Sequence, residues 1–97
     1  MQKIELKDNE KAMEIIATME QLHYETAARE NIVANMAAAG SANTPNGKIY
    51  WEEYMDFFKR YNKIKDQFSE EIISQYTKDK NIGWEVKFDS RELYLYD

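Results

Sequence analysis

Glu20 and His23 stand three residues apart in a stretch whose apolar spacing is helical. On a helix that separation places a carboxylate and an imidazole on one face, and carboxylate-bridged metal bundles use the same Glu-x-x-His pair. The remaining ligands of such a site come from the facing helix. Here the facing stretch offers Tyr61, Ile64 and Phe68, while Glu53 and Glu71 fall on its flank, turns away. Within one chain no metal or other cofactor is therefore expected. A small metal-binding helical protein, with Glu20 and His23 completed across a dimer interface, is kept as the alternative reading of function.

His23 heads a second constellation. Thr26 and Glu30 follow it on the same face, opposite Tyr54 and Tyr61. A buried carboxylate is costly unless it is paired. The economical arrangement is a structural polar network in which Glu30 accepts from a tyrosine hydroxyl and His23 joins it. As a general acid or base, His23 would need a nucleophile, an oxyanion hole or a phosphate-cradling loop beside it. The three glycines all lie in chain breaks and no Gly-rich loop exists, so no enzymatic activity and no catalytic residue is expected. Lys59, Arg60, Lys63 and Lys65 form the only basic cluster, and Asp56, Asp66, Glu70 and Glu71 neutralise it. With a net charge of −5 the chain lacks the cationic surface that displaces counterions from nucleic acid.

The elements that position these side chains follow from periodicity. Gly40 ends an alanine run and suits the left-handed position after a helix, and Thr44-Pro45-Asn46-Gly47 has turn chemistry. Before this break Ala12, Ile16, Met19, His23, Thr26, Glu30, Val33 and Ala37 alternate spacings of four and three. Asp8 or Asn9 is placed to cap that helix. After it Tyr50, Tyr54, Phe57, Tyr61, Ile64 and Phe68 keep the same alternation, continued by Ile72 and Gln75. These are two heptad seams, large side chains facing small ones, and a short connection makes the helices antiparallel neighbours. The tail changes to a period of two: Trp84, Val86 and Phe88, a polar break at Asp89–Glu92, then Leu93 and Leu95. Pairing Phe88 with Leu93 and Val86 with Leu95 keeps one face apolar. The expected fold is α+β, an antiparallel two-helix hairpin with a C-terminal β-hairpin. Ile4-Glu5-Leu6 is a candidate third strand, giving β-α-α-β-β. The expected organisation is one domain over 1–97, with helices at about 9–39 and 48–78, a loop at 40–47 and a hairpin at about 84–96.

Some apolar residues fall outside these seams. Ile32, Met36 and Ala39 lie opposite the first, and Trp51 and Met55 lie off the second, all at the turn end of the hairpin. Strands of about 17 Å leaving the far end of helix two do not reach back to cover them. Contiguous exposed apolar patches mark interaction sites. The leading expectation is a non-catalytic interaction module, accessory, regulatory or inhibitory, whose interface is Ile32, Met36, Trp51 and Met55. Its partner is a protein, a second copy in a homodimer or a different chain. No apolar run approaches a membrane span, the N-terminus has no signal-peptide pattern, and cysteine is absent, so a cytoplasmic setting is expected.

Overall fold

The computed structural model describes residues 1–96. Strand β1 (Gln2–Glu5) leads into α1 (Glu10–Ala38) and α2 (Pro45–Glu71), and β2 (Gly83–Lys87) and β3 (Glu92–Tyr96) close the chain. The fold is β-α-α-β-β, with an antiparallel sheet in the order β1-β3-β2. The N-terminal strand sits slightly earlier than Ile4-Glu5-Leu6. Leu6 lies just past it, buried, and its N–H donates to the Arg91 carbonyl at 3.0 Å.

The hairpin register differs from expectation by two residues. Val86 pairs with Leu93 and Trp84 with Leu95, while Phe88 moves into the turn, where Arg91 takes a left-handed φ of 56°. A shift of two preserves side-chain parity, so the apolar face survives: Ile4, Val86 and Trp84 flank Leu93 and Leu95.

Cap chemistry sets the helix ends. Asn9 Oδ1 accepts from the Ala12 N–H at 3.1 Å, closing the start of α1. At its end Gly40 has φ 75°. The Ser41 N–H donates to Met36 O at 2.8 Å and the Gly40 N–H to Ala37 O at 3.1 Å, a Schellman motif. The second helix begins earlier than residue 48, because Thr44 and Pro45 are its cap and first turn. Thr44 Oγ1 accepts from the Gly47 N–H at 3.1 Å, and proline suits a position whose N–H has no helical acceptor. A Cβ on Gly47 would stand 2.6 Å from Ala42 O and closer still to Ser41 O. That helix also stops earlier than residue 78. After Glu71 the chain tightens into a 3-10 turn at Ile73–Gln75. Ile72 and Ile73 are both buried there, and Gln75 Nε2 donates to Glu71 O at 2.8 Å.

The chain divides into two compact units, Met1–Glu20 with Ile64–Asp97, and Gln21–Lys63. In the first unit Leu6, Ala12, Ile15, Ile16, Met19, Phe68, Ile72, Ile73, Leu93 and Leu95 form the core. Phe68 meets Trp84 with ring centroids 5.2 Å apart. Lys11 pairs with Glu71 at 3.0 Å and Arg91 with Glu20 at 2.7 Å at the margins. In the second unit, among the described residues, only Thr26 and Gly47 are buried, and no large apolar side chain is. Its helical segments run antiparallel. The His23 and Tyr61 rings lie 5.7 Å apart, and Arg29 reaches Glu53 at 2.9 Å. No helix is long and apolar enough to cross a membrane.

Candidate functional site

The residues of interest in Gln21–Lys63 are set by helical phase. Along α2 the seam positions Tyr54, Phe57 and Tyr61 are half-buried, while Tyr50 at the turn end is exposed. One position round the helix stand Trp51, Met55 and Phe58, again spaced by four and three. Trp51 is 50% exposed and Phe58 40%. Tyr54 braces both, its ring 5.7 Å from Trp51 and 5.9 Å from Phe58. On α1 Ile32 is 42% exposed and Met36 is half-buried. Met36 and Trp51 line one groove of about 270 Å³, together with Val33, Ala42 and Lys48. Ile32 and Met55 do not line it. Tyr24 and Ile49, which no spacing singled out, are also exposed in this unit.

The polar positions on α1 differ from the expected network. Glu30 is exposed, so it is not a buried carboxylate. The part-buried charge on this stretch is the cation Arg29: its guanidinium lies 3.7 Å from the centre of the Phe57 ring, donates to Glu53 Oε1 at 2.9 Å and to Glu25 O at 3.0 Å. A long side chain can cover an aromatic with its stem and plane while its head stays solvated, and a glutamate cannot. His23 sits half-buried, its ring 5.7 Å from that of Tyr61. Burial around Tyr61 raises its phenol above the ordinary value by disfavouring the phenolate. Thr26 is 6% exposed, and its hydroxyl has no hydrogen-bond partner. Of the metal candidates, Glu20 already accepts from Arg91 Nη1 at 2.7 Å. Among the described residues no group of three or more His, Cys, Asp or Glu side chains is arranged to hold a metal.

Charge is unevenly shared. Gln21–Lys63 carries five acidic residues (Glu25, Glu30, Glu52, Glu53, Asp56) and five basic ones (Arg29, Lys48, Lys59, Arg60, Lys63), a net of zero. The whole −5 therefore falls on the rest of the chain. The second unit combines neutral charge, exposed aromatic and aliphatic side chains and a thin interior. No family model, curated protein or solved structure matches this chain.

Proposed function

We propose that this protein is a non-catalytic protein–protein interaction module that binds through the apolar surface of Gln21–Lys63. One observation carries the reading. Among the described residues, the exposed large apolar side chains Tyr24, Ile32, Ile49, Tyr50, Trp51 and Phe58 fall in a unit that buries no large apolar side chain, and only Met1 and Tyr96 fall in the other. Isolated exposed apolar residues are ordinary, but their concentration in one unit is the mark of a surface that is covered in use. The half-buried Met36 and Met55 extend it with adaptable side chains that repack against different shapes.

Lysine-directed crosslinking in the native cell extract tests this. Lys48 and Lys59 are exposed beside the patch. Crosslinks from them to another polypeptide, of any identity, are expected in the wild type. They should disappear in Trp51→Asp and Ile32→Asp, while Glu14→Ala, exposed in the other unit, keeps them. Absence of intermolecular crosslinks from these lysines, or their persistence in both aspartate variants, contradicts the proposal.

A further inference from the structure

We infer that the partner of this surface is a second copy of the chain, docked antiparallel along the Trp51–Met55–Phe58 stripe of α2. The inference rests on the interaction-module reading and adds the occupant and its register. The stripe has the four-and-three spacing of a helix-packing seam, and it lies beside the seam that faces α1. Exposed charges border it: Glu52 follows Trp51, and Lys59 follows Phe58. They are two turns apart, so both stand on the same flank of the stripe.

That order of charges decides the geometry. A parallel two-fold pair sets each flank against the opposite flank of the partner, so Glu52 and Lys59 would face Gly47, Tyr54 and Tyr61 and gain no charge partner. An antiparallel pair with its two-fold axis at Met55 sets Glu52 of one copy beside Lys59 of the other, twice by symmetry. The same register brings Trp51 of one copy onto Phe58 of the other, and Met55 onto itself. A two-fold interface must be self-complementary. Here the midpoints of the apolar pair, between 54 and 55, and of the charged pair, between 55 and 56, fall on either side of Met55, about one helical rise of 1.5 Å apart. The zero net charge of Gln21–Lys63 removes the repulsion that two copies of an acidic surface would feel.

Sedimentation equilibrium over a concentration series tests this with wild type, Glu52→Lys, Lys59→Glu and the double variant, with circular dichroism confirming equal helicity. The wild type is expected to dimerise reversibly. Each single reversal makes both symmetry-related pairs repulsive and should weaken the dimer roughly tenfold, from two exposed pairs each worth a fraction of that. The double variant restores opposite charges and should return to within about twofold of wild type. The chain has no cysteine, so Met55→Cys adds an independent readout: air oxidation should give a disulfide-linked dimer. Three results overturn the inference: a wild type monomeric up to about 0.5 mM, single reversals without effect, or a dimer that Met55→Cys does not crosslink. A monomeric wild type whose Lys48 and Lys59 still crosslink to a different protein would refute self-pairing alone and leave the module reading intact.

Discussion

Two phenylalanines on α2 should differ sharply in what their removal costs. Phe68 is fully buried, against Trp84 and among the side chains that form the core. Phe68→Ala removes the ring and leaves a cavity, a change that costs about 3–5 kcal/mol. At roughly 0.05–0.15 kcal/mol per residue, a chain of 97 residues has about 5–15 kcal/mol in all. The loss is therefore about a fifth or more of the total. Phe58 is 40% exposed, so its truncation gives up only part of the transfer energy of a phenyl ring and leaves no closed cavity, about 1 kcal/mol. Urea unfolding followed by circular dichroism measures both, with the shift of the midpoint read at a common slope. Dilute protein should be used, so that association does not add to apparent stability. A Phe58→Ala variant as damaged as Phe68→Ala would mean that Gln21–Lys63 packs a core of its own, and the argument for a partner-facing surface would fail.

Thr26→Val removes a buried hydroxyl that has no partner and keeps the β-branched shape. It should stabilise the protein by about 1 kcal/mol, raising the thermal midpoint by roughly 4–8 °C; a lower midpoint would show that the hydroxyl is bonded. In the sheet, hydrogen bonds from Lys87 and Tyr96 hold Glu85 below the usual carboxylate range, and Lys3 and Ser90 do the same for Glu92. A folded value below the unfolded one contributes stability that is present above the unfolded value and lost as pH falls through the folded one. Thermal stability should therefore decline as pH drops below about 4. Lys3→Met should move the Glu92 carboxyl titration, followed by NMR, to higher pH, and an unmoved titration would contradict the pairing. Truncation after Asn81 deletes the central strand β3 with Leu93 and Leu95, both in the core. It should cost at least the roughly 1.5–3 kcal/mol of one large side chain, and a truncated chain as stable as the full one would show that the tail does not dock.

Local rules read from the sequence succeeded where their physics is local. Gly40 takes the positive φ that ends α1, Asn9 caps its start, and the period-two tail forms two strands. Thr44-Pro45 was equally legible as cap and first turn of α2, but as turn chemistry it pointed to a later start. The hairpin register depended on a turn without an Asn-Gly signal. Four turn residues and a left-handed Arg91 placed Phe88 outside the ladder, while parity kept the correct face. Heptad spacing identified which positions align but not how deeply they are buried. Met19 and Phe68 are core, whereas Glu30, Ala37 and Tyr50 on the same seams are exposed. Burial is a tertiary property, and the sheet supplies it only in the unit it belongs to. At the candidate site, Ile32 and Trp51 were visible as apolar residues off the seams. Phe58 carried the same signal, three residues after Met55, and was masked by its seam neighbour Phe57. Arg29 was hidden because a charged residue over an aromatic is not a hydrophobic pattern.

Residue-resolved hydrogen exchange, in dilute protein and again in the associated state, tests the central claim most directly. Stability concentrates where apolar burial does. In dilute protein the amides of Gln21–Lys63 should open more readily than those of β3 and of the α2 segment around Phe68. On association, protection should rise at Trp51–Phe58 and remain unchanged in β3. Amides of Gln21–Lys63 as protected as β3 in the dilute chain, with no gain at Trp51–Phe58 on association, would contradict an interaction surface there.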